Sequence, residues 1–326
     1  MFSIQELEAA AEIVHGVMPP TPHYSWPLLS ARTGCEVWVK HENHTPIGSF
    51  KLRGGLVFLN QLMASGEQLT GLITATRGNH GQSIALAGRN YNVPVTVYAP
   101  RGNSVEKNKA MQAFGANLIE YGDDFDAARE EAERVAVDQN LHLVPSFHSW
   151  LVRGVATYAL EFLSHLRDLD TLYAPIGMGS GICGLITTRD LLGLKTKIVG
   201  VVAEEAPAYA ISFEAKSVRE TNSAATFADG MACRVPAKAA LDIICRGADR
   251  VIRVSEDEIA EAIRAYYSDT HNLAEGAGAA ALAGLMKERS PMDGRKVGLI
   301  LSGGNVDATP FATLLGGGTP QVVSVA

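Results

Sequence analysis

GLITATRGNHGQSIALAGRNYNVPVTVYAPRGNSVEKNKAMQAFGANLIEY, residues 71–121, decides the fold. Three short apolar runs, 71–76 (GLITAT), 95–99 (VTVYA) and 117–121 (NLIEY), alternate with two longer stretches of helical spacing, 79–91 and 105–114. Short strands apolar on both sides, each followed by a helix, build a parallel sheet wrapped on both faces. The rhythm continues with a helix over 124–139 whose charged residues face outward. Upstream, 35–40 (CEVWVK) alternates as a strand and 53–63 (RGGLVFLNQLM) is helical. Downstream, strands are expected at 172–176, 198–203, 251–254 and 297–302, and helices near 182–192, 256–268 and 276–288. Ser255 and Glu258 have the spacing of a capping box. An opening helix precedes 18–27 (MPPTPHYSWP), where four prolines predict a connector without regular structure. No low-complexity linker and no repeat of fixed period interrupts the chain. The expected class is α/β: two lobes of open, parallel-dominated sheet with helices on both faces and a cleft between them, ligands binding beyond the carboxyl ends of the strands.

Composition narrows the function. At 326 residues, 47% hydrophobic and 19% charged, the chain can bury a large core, and no apolar run reaches membrane-spanning length. The start, MFSIQELEAAAEIV, lacks the basic and apolar segments of a signal peptide, so a soluble cytoplasmic protein is expected. A net charge of −7 without a basic run argues against nucleic acid and anionic membranes as partners. Cys35, Cys183, Cys233 and Cys245 are scattered without CxxC spacing, so neither a disulfide framework nor a zinc site is expected.

Four loops hold residues suited to chemistry. Residues 41–55 (HENHTPIGSFKLRGG) place Lys51 where a polar loop meets an apolar helix, a setting for a Schiff-base lysine that must be held near neutral and needs a carbonyl partner. Residues 76–82 (TRGNHGQ) join a strand to a helix, whose free N–H groups suit a carboxylate; Asn79 serves there either as ligand or as ordinary N-cap. Residues 175–184 (PIGMGSGICG) form a glycine-rich turn that can aim several N–H groups at one phosphate, or that simply packs helix against strand. It has no Walker lysine, which favours a small phosphate ester over a nucleotide. In 301–307 (LSGGNVD), Ser302 stands at a strand tip with a hydroxyl able to donate or accept. An amine, an anion cradle and a serine match the aldehyde, phosphate and pyridine nitrogen of pyridoxal phosphate.

Together, GSFKLRGG, RGNHGQ, the glycine turn at 177–181 and LSGGN, in this order and over about residues 21–307, resemble the fold-type II pyridoxal phosphate enzymes, whose architecture is that of the tryptophan synthase β chain, and within them the serine/threonine dehydratase and serine racemase group. The resemblance implies a large cofactor-binding domain, residues 1–70 and 149–326, and a small substrate-carboxylate-binding domain, residues 71–148. It implies that Lys51 forms the Schiff base and acts as catalytic base, that Phe50 packs on the cofactor ring and Asn79 bonds its hydroxyl, and that Gly177, Met178, Gly179, Ser180 and Gly181 hold the phosphate. Ser302 would face the pyridine nitrogen, with Glu275 near it, although a carboxylate there also suits a helix start. Thr76, Arg77, Gly78, Asn79 and His80 would receive the substrate carboxylate. The implied reaction is dehydration of a β-hydroxy amino acid (threonine, serine or a 3-hydroxyaspartate) to a 2-oxo acid and ammonia by a homodimer or higher homo-oligomer. β-Replacement, racemisation, or anion binding without turnover are the alternatives.

Departures from the family pattern matter as much. Racemase members carry a reprotonating serine where this chain has Arg77, which argues against racemisation. Arg77 would either favour a substrate with a second anionic group or point to solvent. Glu204 matches the first acidic ligand of the family's divalent-cation site, but the second falls on Ala210; Glu205 or Glu214 could replace it only in a different loop. One carboxylate is a poor site for such a cation, so a metal is left open. The sequence ends soon after LSGGN, so an end-product-sensing domain like that of biosynthetic threonine deaminases is not expected.

Overall fold

The computed structural model describes residues 1–321. Among the described residues, ten strands form two sheets. β1 (His23–Ser25), β2 (Glu36–His41), β7 (Thr171–Pro175), β8 (Lys197–Ala203), β9 (Arg250–Val254) and β10 (Lys296–Leu301) make the larger, in the order β1-β2-β10-β7-β8-β9. β3 (Leu72–Ala75), β4 (Val95–Ala99), β5 (Ala116–Glu120) and β6 (His142–Leu143) make the smaller, in the order β5-β4-β3-β6. All pairings are parallel except β1 with β2. The large sheet thus takes its strands from both sides of the segment that forms the small one.

Burial explains the layers. β3 is buried at every residue, and β8 and β10 at all but the first, as strands covered on both faces must be. Tyr173, Val199, Val201 and Leu299 pack on one face of the large sheet with the helices Glu256–Thr270 and Gly276–Lys287. Leu172, Ile198, Val202 and Ile300 pack on the other with Ser149–His165 and Ser180–Leu191. The small sheet is covered likewise, with Leu72, Val95 and Val97 against Leu52 and Leu56 on one side and Ile73 and Tyr98 against Ala128 and Ala132 on the other. The Ser255/Glu258 capping box forms. No helix among the described residues is long and apolar enough to cross a membrane.

Several segments differ from the sequence reading, among them the unexpected short helices Pro27–Thr33, Ala208–Ala215, Lys238–Gly247 and Ala308–Leu315. The proline-rich stretch 18–27 was expected to lack regular structure, yet His23–Ser25 pairs antiparallel with β2. The prolines lie outside those three residues, and an edge strand leaves one side of its backbone unpaired anyway. The 17-residue helix Ser149–His165 had no counterpart in the reading. It is buried around most of its girth, which blurs helical periodicity.

Sheet order positions the loops of interest. β10, the last strand, lies between β2 and β7, with Leu301 level with His41. The segment leading to Lys51, the glycine turn after β7 and the LSGGN loop after β10 therefore leave neighbouring carboxyl ends of one sheet.

Candidate active site

Lys51 is the first residue of the helix Lys51–Ala64. The preceding loop is pinned on both sides. Thr45 Oγ1 donates to Ser49 O (2.7 Å) and accepts from Ser49 N (2.9 Å), while Phe50 N donates to Ser302 O (3.0 Å) and Ser49 bridges to Gly303. Behind Lys51 the glycine pair allows close helix crossings. A Cβ on Gly54 would lie 3.0 Å from Leu151 O, one on Gly55 2.3 Å from Ser83 Oγ, and one on Gly154, in the facing helix, 2.3 Å from Arg53 O. Ser83 Oγ also donates to Lys51 O (2.6 Å), fixing the first turn.

The Lys51 side chain is half-buried and lines a small cavity. Lys51, Gly54, His80, Ser146, Leu151, Val155 and Ser180 line that cavity. Burial lowers the Lys51 pKa to about 8, against the Glu275 carboxylate, which pulls the other way. The Nζ lies 5.1 Å from the centre of the Phe50 ring, which meets Tyr158 edge-on at 6.2 Å. Burial, aided by the Lys51 charge, drops His80 to about 3, so its imidazole is neutral.

Two helices present bare N-termini here. Asn79–Asn90 follows Gly78, and Ser180–Leu191 follows Gly179 in the left-handed conformation (φ 94°); neither has a side-chain cap. Asn79 is therefore no N-cap. Its amide donates to Glu275 Oε1 (2.7 Å), and its oxygen accepts from Asn305 Nδ2 (2.7 Å), which also donates to Ile47 O (2.8 Å). Thr76 Oγ1 accepts from Gly78 N (3.0 Å). In the glycine turn, a Cβ at Gly177 would fall 2.1 Å from Gly230 O, and one at Gly181 3.3 Å from the Tyr158 hydroxyl. Tyr158 donates to Gly181 O (3.1 Å) and Tyr209 to Met178 O (2.9 Å), so two buried phenols steady the turn.

Glu275 precedes the helix Gly276–Lys287 without capping it and turns to the loop of the small sheet. Its backbone N donates to Gly303 O (3.1 Å), and its Oε2 lies 3.8 Å from Lys107 Nζ. Burial raises the Glu275 pKa, with the Lys107 charge opposing. Ser302 is buried at the end of β10. Lys51, His80 and Ser180 share the cavity wall; Asn79, Glu275 and Gly303 form the adjoining polar cluster. Arg77 stands apart, its side chain exposed and without a hydrogen bond or ion pair among the described residues, while its carbonyl accepts from Asn103 Nδ2 (3.1 Å). Glu204 and Glu205 are exposed, Glu214 pairs with Arg253 (3.2 Å), and among the described residues no three His, Cys, Asp or Glu side chains converge as a metal site would require.

Sequence reasoning missed several participants. Asn305 lies inside a quoted motif, but its partner Asn79 is 226 residues away. Lys107 and Asp229 pair across a separation of 122 residues with no local signature. The residues fit pyridoxal phosphate on two structural grounds. Ser49 Oγ, His80 Nε2 and Glu275 Oε2 are buried without a hydrogen-bond partner, and the helix that follows the turn at 177–181 starts without a side-chain cap.

Comparison with known proteins agrees. The profile of the family described as "Pyridoxal-phosphate dependent enzyme" matches residues 15–303. An L-threonine ammonia-lyase of Thermotoga maritima is 29% identical across 98% of this chain and 79% of its own length. An L-threo-3-hydroxyaspartate ammonia-lyase of a Pseudomonas species is 31% identical across 97% of this chain and 99% of its own. The solved processed form of threonine deaminase isoform 2 from Solanum lycopersicum shares 27% identity with a TM-score of 0.87, covering 96% of this chain and 93% of that one. With a lysine whose pKa is lowered by burial beside two uncapped helix N-termini, and a family match over nearly the whole chain, the protein belongs to the pyridoxal-phosphate dependent enzymes.

Proposed function

We propose that the protein is an ammonia-lyase that dehydrates a β-hydroxy amino acid to a 2-oxo acid and ammonia. The observation that carries the reading is the cavity in which the Lys51 amine meets the first turns of both bare helices, through His80 and Ser180. Two anion sites flanking one amine suit an amino acid carboxylate on one side and the cofactor phosphate on the other. The ammonia-lyases among the relatives act, by their names, on threonine and on threo-3-hydroxyaspartate, which supports a β-hydroxyl on the substrate.

When bound, the cofactor would supply an electron-withdrawing ring that acidifies the substrate Cα–H bond. The protein supplies the rest. Residues 177–181 and the helix start at Ser180 would hold the phosphate, with Met178 contributing its backbone. Phe50 would flank the ring and Ser302 would offer its nitrogen a neutral hydroxyl, which could not hold it protonated as a carboxylate would. Thr76, Gly78 and the N–H groups of Asn79 and His80 would orient the carboxylate, and Asn79, held between Glu275 and Asn305, would meet the ring hydroxyl. With a pKa near 8, Lys51 keeps a useful neutral fraction at neutral pH and takes the Cα proton. His80, neutral throughout the physiological range, shapes this wall without adding a charge.

In this reading residues 71–148 are the substrate-carboxylate domain, and residues 1–70 with 149–326 the cofactor domain, in a cytoplasmic homo-oligomer. The decisive experiment supplies L-serine, L-threonine and each diastereomer of 3-hydroxyaspartate in turn and quantifies ammonia and 2-oxo acid. Equimolar release from at least one is expected. Inverted substrate without ammonia, or no product at all, would overturn the assignment.

A further inference from the structure

The helix Val105–Ala113 lies between β4 and β5 of the small sheet, yet its Lys107 reaches the other lobe. The side chain is 9% exposed. Its Nζ sits 2.5 Å from Asp229 Oδ2 and 3.8 Å from Glu275 Oε2. Its stem lies on the substrate loop, since a Cβ at Gly78 would fall 2.6 Å from Lys107 Cδ. Asp229 begins a one-turn helix, Asp229–Met231, whose Gly230 carbonyl packs against Gly177 of the glycine turn. One side chain therefore joins the two anion loops by contact, in the order Gly78, Lys107, Asp229, Gly230, Gly177. The same ammonium faces Glu275, which holds Asn79. Two surface contacts, Ser104 with Asp307 and Glu106 with the Ala308 N–H, close the lobes beside it.

We propose that Lys107 is a positioning residue that locks the substrate loop of the small lobe onto the cofactor lobe, so that loop and phosphate cradle are ordered together. The proposal rests on the function proposed above for what the loop binds. Lys107 is buried while Asp229 is 30% exposed, so losing the Lys107 charge leaves the buried Glu275 carboxylate without this cation, and losing the Asp229 charge removes the short contact that anchors the ammonium to the other lobe; either loss loosens the loop. The contact makes no use of Lys51, and Lys107 touches no reacting atom. Its loss therefore weakens substrate capture more than it slows the chemistry.

The test compares Lys107→Met, Asp229→Asn, their double variant and Lys107→Arg in the holoenzyme. Amide hydrogen exchange is followed over residues 76–82 and 177–182, and KM and kcat are measured for the best substrate. The expected result is at least tenfold faster exchange in both segments for each single variant. KM should rise about tenfold with kcat within about threefold, the double variant should be no worse than either single, and arginine should restore both readings. Unchanged exchange in folded Lys107→Met overturns the proposal, as does loosening of only one segment, or additive losses in the double variant. If Lys107→Met does not fold, Asp229→Asn decides alone; if neither folds, the contact is general scaffolding and the proposal fails. Exchange needs no turnover, so an enzyme inactive on every β-hydroxy amino acid would refute the proposed function and leave the lock to stand or fall on its own reading.

Discussion

Two buried clusters of charge start within two residues of each other and differ in completeness. Behind the helix start, Arg53 donates from Nε to Glu42 (2.7 Å) and from Nη1 and Nη2 to Glu161 (2.6 and 2.9 Å), while Lys40 also binds Glu161 and Thr21 donates to Glu42. Two cations face two carboxylates, none more than 9% exposed, and Thr157 accepts a further guanidinium hydrogen (3.0 Å). In front of the helix start, Lys51 has no carboxylate within bonding distance among the described residues, and Ser49, His80 and Glu275 each keep an unpartnered buried atom. The satisfied cluster ties the helix Lys51–Ala64 to β2 and to the helix Ser149–His165, and so acts as scaffold. The unsatisfied one holds polarity in reserve for something that is not protein. A buried polar group left without a partner costs about 1–3 kcal/mol, which marks where the fold gives up stability for function.

Substitutions can break that contrast. Lys51→Ala should lower the rate of 2-oxo acid release by about a thousandfold in a steady-state assay, the scale of a lost general base, with an unchanged urea midpoint. Arg53→Met should do the opposite, destabilising the protein by about 3–5 kcal/mol in urea titration because two buried carboxylates lose the guanidinium they share. A Lys51 variant that unfolds, or an Arg53 variant with a wild-type midpoint, would erase the distinction.

A pH titration sharpens it. Burial pushes Glu161 toward the neutral form, but Arg53 and Lys40 outweigh it and hold the pKa at about 2. Since the folded pKa lies below the unfolded one, the stabilisation is present above about pH 4.5 and is lost as pH falls toward 2. The urea midpoint should therefore drop over that interval, and Glu161→Gln should flatten the drop. The smallest effect is expected at Arg77. With its side chain exposed and unpaired among the described residues, Arg77→Ser should shift the ratio of kcat/KM for threonine and 3-hydroxyaspartate by less than about threefold. A larger shift would make Arg77 a substrate contact.

The sequence made the strand and helix rhythm visible because nearly every strand is a short apolar run ended by a glycine or polar loop. Strand limits such as Val95–Ala99 agree to the residue. The motif loops stood out because a lysine at a helix start and glycines at strand ends are local features. What stayed hidden is non-local. Nothing near Arg53 names Glu42 or Glu161, nothing near Lys107 names Asp229, and the pair Gly54 and Gly55 is explained only once Leu151 and Ser83 are seen against them. Asn79 shows the limit well. Its position at a helix start suggests a cap, yet its amide is spent on Glu275, 196 residues later.

The central claim is that the incomplete cluster around Lys51 is where the cofactor is attached. The purified protein should absorb near about 410 nm, lose that band on borohydride reduction, and yield one peptide bearing reduced pyridoxal phosphate at Lys51. Reduction that labels a different lysine, or a colourless protein that takes up no added cofactor, would contradict the account.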